Sequence, residues 1–94
     1  MATLLSTQTT NTTGSGASHT GPCTVHVYGT FDGAEVVLEM ADSDTAAEYV
    51  PIGRQGTFNK TGGNCTVDAQ GTYFLRAKLN RAGSSTSVSV TTTQ

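Results

Sequence analysis

The chain has 94 residues, a formal net charge of −2 and only 13% charged residues. That length allows one domain. Its five Lys and Arg are too few and too scattered to track a phosphate backbone or hold an anionic bilayer, so neither nucleic acid nor a membrane is an expected partner. Low charge combined with many Thr, Ser and Val is the composition of a folded, β-rich chain rather than a disordered one.

The first 21 residues stand apart. From Ser6 to Gly21 the sequence STQTTNTTGSGASHTG holds nothing more apolar than alanine. Alone, such a segment buries too little surface to offset its own ordering. Leu4 and Leu5 are its only apolar anchors. The expectation is an extended polar arm over residues 1–21, ordered by contacts with neighbouring molecules, leading into a β-sandwich domain over residues 22–94. The opening MATLLSTQTT lacks the basic region and apolar run of an export signal. No stretch approaches the length of a membrane-spanning helix. The expectation is a protein made in a cytoplasm, without a signal peptide.

From Pro22 onward the chain reads as short strands between glycine-bearing turns. Cys23 to Phe31 alternates, with Cys23, Val25, Val27 and Phe31 on one face and Thr24, His26, Tyr28 and Thr30 on the other. Asp32-Gly33 then predicts a hairpin into Ala34–Ala41, whose Val36, Leu38 and Met40 face inward. A polar turn follows at ADSDTA. Glu48 to Ile52 is a strand whose Pro51 lacks a ladder donor and so belongs at an edge. Thr57 to Asn59 is a very short strand, and Lys60 to Asn64 a turn. Cys65 to Ala69 alternates again. Thr72 to Arg81 is the longest strand, with Tyr73, Leu75, Ala77 and Leu79 inward and Phe74, Arg76, Lys78 and Asn80 outward. Thr86 to Thr92 closes the domain, burying Val88 and Val90. About seven short strands with consistent alternation give an all-β class: a small antiparallel β-sandwich, Ig-like or jelly-roll-like, with an extended N-terminal arm.

Catalytic chemistry has no clear foothold. The histidines are His19, in the arm, and His26, mid-strand. No spacing selects a serine and one of Asp32, Asp42, Asp44 or Asp68 to complete a triad, so no enzymatic activity and no catalytic residue is assigned. His19, Cys23 and His26 lie close in sequence, but Cys23 and His26 fall on opposite faces of a strand and lack zinc-knuckle spacing. Asp42-Ser43-Asp44 lacks the glycine and distal glutamate of a calcium loop. No metal and no cofactor is expected. Cys23 and Cys65 read as paired strand-interior thiols rather than a staple. Asn11, Asn59 and Asn64 match the glycosylation pattern and read as turn asparagines without an export signal. The outward row Phe74, Arg76, Lys78 sets an aromatic beside two cations. With Leu4 and Leu5, it forms the candidate interface.

Three runs, VYGTFDGAEVVLEMA, YVPIGRQGTF and VDAQGTYFLRAKLNRAGSSTSVSV, resemble small β-sandwich structural proteins of tailed bacteriophages. The residues that carry the likeness are Gly29, Phe31, Gly33, Ala34, Val36, Leu38, Tyr49, Gly56, Phe58, Gly71, Tyr73, Arg76 and Val88. The resemblance covers about three quarters of the chain and leaves the arm outside it. It implies a virion structural protein, most often a capsid decoration (cement) protein on the capsid exterior. Its partners would then be the major capsid protein and copies of itself. The small core adds an expectation of a trimer or dimer. The arm and the sandwich would bridge neighbouring capsid subunits. The alternatives are a fibre or tail adhesion module that binds a host-surface glycan, and a head–tail or tail-tube component.

Overall fold

Ten strand segments follow in chain order: β1 (Ala2–Gln8), β2 (Thr12–Thr13), β3 (Ala17–Thr20), β4 (Cys23–Thr30), β5 (Glu35–Ala41), β6 (Val50–Pro51), β7 (Thr57–Phe58), β8 (Gly63–Val67), β9 (Thr72–Asn80) and β10 (Ser87–Thr93). They come from a computed structural model that describes residues 2–59 and 62–93. Two antiparallel sheets pack face to face. The first has the order β1-β10-β4-β8, and the second has β9 and β5 at its centre. β2 and β3 share one flank of β9, while β6 and β7 share the far flank of β5. Counting each such pair as one row, the chain crosses between sheets at every step except from β5 to the β6–β7 row. That wrapping is a jelly roll, and it decides between the two sandwich types that the alternation left open.

The alternation survives folding. Val25, Val27, Val88 and Val90 from the first sheet meet Val36, Leu38, Leu75, Ala77 and Leu79 from the second, all essentially without solvent contact. Phe31, Ala34 and Tyr73 complete the core, with Ile52, Phe58 and Cys65 packed at its margin. Pro51 sits in a two-residue edge strand, where its missing N–H costs nothing. Between Ala41 and Val50, a short 3-10 turn over Ala46–Glu48 replaces the start of the expected Glu48–Ile52 strand. Lys60 and Thr61, where a turn is expected, lie outside the described residues. Asn64 is in β8 rather than in a turn.

Two expectations fail. First, the extended arm expected over residues 1–21 does not stand apart from the sandwich over its described residues, 2–21. β1 pairs with β10, β2 and β3 pair with β9, and Leu4 and Leu5 are buried in the protein's own core. The domain is one unit that includes the N-terminal segment. The reason lies in the partners. A threonine-rich strand cannot order itself, but β9 and β10 each present a whole row of donors and acceptors that must be satisfied. A bulge conceals the second clue. Thr3 opposes Thr91 and Leu5 opposes Val90, leaving Leu4 as the extra residue. The bulge turns two successive leucines inward and breaks the period of two. His19 is also buried, and its ring stacks on Tyr73 at 5.9 Å.

Second, Asp32-Gly33 does not make a hairpin. The tight turn forms, with φ of 47° and 83° and a bond from Ala34 N–H to the Phe31 carbonyl at 2.9 Å. Yet β4 and β5 enter different sheets. Phe31 and Ala34 are both buried, so the turn carries the chain around the core instead of along one sheet. The Asp32 carboxylate accepts from Ser85 N–H at 2.8 Å, and the Thr86 hydroxyl donates to the Phe31 carbonyl at 2.7 Å. These bonds tie the turn to the β9–β10 loop.

Deleting residues 1–21 removes both leucines and leaves β9 and β10 as raw edges. Each buried leucine stabilises by about 1.5–3 kcal/mol, against a total of about 5–15 kcal/mol for a domain. The truncated chain will lose its cooperative thermal transition in circular dichroism. Leu5→Ala alone will destabilise by about 2–5 kcal/mol in urea titration.

Candidate interaction faces

The two outer faces differ sharply in charge. None of the residues in β1, β4, β8 and β10 is Asp, Glu, Lys or Arg. Outward from the first sheet point Thr24, His26 and Tyr28 of β4, Asn64 and Thr66 of β8, and Ser87, Ser89, Thr91 and Thr93 of β10. Register aligns them: Thr91 lies beside His26, which lies beside Asn64, and Ser89 lies beside Tyr28. The His26 and Tyr28 rings lean together with centroids 5.3 Å apart. Tyr28 is 46% exposed, one of the two large hydrophobic side chains left open to solvent among the described residues. This face is hydroxyl-rich, uncharged and centred on a pair of rings.

The second sheet's outer face is charged and already occupied. Glu39 of β5 stands opposite Arg76 of β9, and they form an ion pair at 2.6 Å. The Tyr49 ring lies over the Arg76 guanidinium, 4.2 Å from its carbon to the ring centroid. The Tyr49 hydroxyl donates to Asp44 at 2.8 Å. Gly16, between β2 and β3, runs so close that a Cβ there would overlap Tyr49 Oη and Asp44 Oδ1. Tyr49 therefore reaches over β9 and pins the N-terminal row. Burial, then the Asp44 hydrogen bond and charge, push its phenol up from 10.0 to about 12, with Glu39 adding to the rise and the Arg76 charge opposing it.

The candidate interface is thereby divided. Leu4 and Leu5 lie in the core and offer nothing to a partner. Phe74, Arg76 and Lys78 do share an outward face, as their alternation predicts. However, Phe74 is half-buried beside Ala41, and Arg76 is held by Glu39 and Tyr49. Lys78 alone of the three is exposed. The uncharged face has no local signature, because it is assembled from strands distant in sequence. The blank stretches in charge over residues 2–8, 23–30, 63–67 and 87–93 were its only trace.

The polar residues with catalytic or metal-ligating chemistry are dispersed. His19 Nε2 lies 2.7 Å from the Thr92 hydroxyl and Nδ1 lies 3.0 Å from the Ala17 carbonyl, inside the sandwich. His26 is on the opposite side of the first sheet, which carries no carboxylate. Among the described residues, no three His, Cys, Asp or Glu side chains gather at a point. Cys23 and Cys65 occupy adjacent strands as free thiols. The buried Tyr73 hydroxyl contacts Cys23 Sγ at 3.3 Å and donates to the Gly21 carbonyl at 2.6 Å. Burial raises both the Tyr73 phenol and the Cys65 thiol above their ordinary values. Comparison with family models, curated proteins and solved structures finds no match.

Tyr49 supplies a test of the charged face. A phenol whose value rises on folding adds stability that is whole below 10.0 and is lost as pH climbs through about 12. Chemical denaturation across that window will show the decline, and Asp44→Asn will lower the Tyr49 titration seen by ultraviolet absorbance. Gly16→Ala will cost about 1–3 kcal/mol through overlap with Tyr49, and Tyr49→Ala in the same chain will remove most of that penalty.

Proposed function

We propose that this protein is a structural component of a bacteriophage virion, a decoration protein carried on the outside of the capsid shell and made in the host cytoplasm. It attaches by the uncharged outer face of the β1-β10-β4-β8 sheet, not by a bridging arm, since β1, β2 and β3 are consumed within its own sandwich. The observation that carries this reading is the complete lack of charged side chains on that sheet. Interface centres are depleted of charge and enriched in tyrosine, because stripping water from an ion that gains no partner is expensive. A face of hydroxyls and rings can be dried at lower cost, and Thr24 and Thr66, exposed on it, can bond a partner's backbone. The likeness of Val27 and the following runs to phage structural proteins supports the virion setting. Jelly rolls also recur in capsid domains.

Many copies on a repetitive shell would each need only modest affinity if they also touch one another. The partner is then the major capsid protein. One feature favours a second reading: the exposed His26–Tyr28 pair, flanked by Asn64 and Thr91, also suits a neutral sugar on a host surface. An array of neutral glycans separates the two readings, since a docking face for protein will give no saccharide-selective signal.

The deciding experiment uses purified virions of the phage that encodes the chain. The protein will co-sediment with the shell, and Tyr28→Glu with Thr24→Glu, both exposed on that face, will abolish its incorporation while leaving its circular dichroism unchanged. Absence from purified particles, or full occupancy by the double variant, would overturn the proposal.

A further inference from the structure

Among the described residues both sheets end in open edges, and three of these four edges carry a device that discourages pairing with another strand. β1 has two register shifts and a residue in left-handed conformation, Thr7 with φ of 47°. The β2–β3 row is interrupted at Gly14-Ser15-Gly16. The β6–β7 row consists of two-residue strands, one of which contains Pro51. Bulges, breaks, shortness and proline are the usual means of blunting an edge. β8 has none of them. Over Gly63–Val67 it pairs residue for residue with β4, without a bulge, and it carries neither proline nor charge.

We infer that β8 is a self-association edge: two copies of this chain pair antiparallel along β8, joining their first sheets into one continuous sheet. The occupant is a second copy because the edge is compatible with itself turned about a two-fold axis. A two-fold contact brings a surface against itself, so any charge near the axis would repel its image. In β8 there is none. Centring the pairing on Cys65 sets each copy's Asn64 opposite the other copy's Thr66, both small and uncharged. The nearest described ionised group along the strand, Asp68, then stands from its counterpart by six residues of strand, roughly 20 Å. That exceeds the screening length of about 8 Å at physiological salt. Main-chain hydrogen bonds supply the attraction, as in other strand-addition contacts. The dimer also doubles the uncharged face, because β8 is the outermost strand of that same sheet. The inference stands on the edge geometry alone and does not need the virion reading.

Cys65 gives a direct probe. It is half-buried at the pairing centre, whereas Cys23 is buried. In the full-length protein, a short bismaleimide at mildly alkaline pH will link two copies through Cys65, and Cys65→Ser will abolish the link. Light scattering after size exclusion of the unmodified chain will show a dimer at high micromolar concentration. Asn64→Lys with Thr66→Lys places lysines opposite one another and will leave only monomer. Asn64→Lys with Thr66→Glu places unlike charges opposite and will restore the dimer. Both pairs alter only solvent-facing positions, and circular dichroism checks that each variant folds. A monomeric unmodified chain, a dimer that survives the double lysine substitution, or a cross-link that persists without Cys65 would each overturn the inference. None of these outcomes bears on whether the chain is present in virions.

Discussion

The whole structure depends on the N-terminal segment closing the sandwich. β10 is central in its sheet only because β1 covers its outer side, and β9 is central only because β2 and β3 do the same. Without those rows, Val88, Val90, Leu75 and Leu79 would lie in edge strands with one flank wet. A domain this small has little core to spare. The chain therefore recruits its least hydrophobic segment as main-chain cover. Threonine suits that task, since it accepts the pleat and contributes little bulk. Leu4, Leu5 and His19 supply the few side chains that dip into the core.

Polar anchors make this cover specific. The Thr92 hydroxyl accepts from Ala2 N–H at 3.2 Å and lies 2.7 Å from His19 Nε2, so one side chain of β10 touches both the start of β1 and β3. Tyr49 holds the same N-terminal row from the opposite side, through its closeness to Gly16. Bonds of this sort add about 1 kcal/mol each. Their larger effect is to exclude alternatives, because a slip of one residue would strand His19 or Thr92 in the core without a partner.

The division of labour between the outer faces follows from the same economy. Charged residues collect on the second sheet and on the loops, where Glu39, Arg76, Tyr49 and Asp44 satisfy one another. The first sheet is left with hydroxyls, an imidazole, a phenol and the amides of Gln8 and Asn64. One face is thus internally committed through its charges, while the other exposes Thr24, His26, Tyr28, Asn64 and Thr66 to solvent. The regular β8 edge borders that uncharged face, so both features lie on the same sheet.

Strand positions and facing were legible in the residues themselves. The inward sets Cys23-Val25-Val27, Val36-Leu38-Met40, Tyr73-Leu75-Ala77-Leu79 and Val88-Val90 all follow from the period of two, because burial on one face of a strand is a local demand. The place of Pro51 at an edge followed from its missing donor. Pairing was not legible. β1 and β3 have no alternating apolar pattern, since Leu4 and Leu5 are adjacent and β3 reads ASHT; what orders them is the unmet hydrogen bonding of β9 and β10, more than fifty residues away. Asp32-Gly33 makes the expected turn but not the expected hairpin, because a tight reversal does not dictate which sheet the next strand joins. The uncharged face belongs to the same category. Its strands are brought side by side by the jelly-roll wrapping, so only the tertiary structure could bring its members into view, whereas alternation of side chains along each strand had been written in the chain from the start.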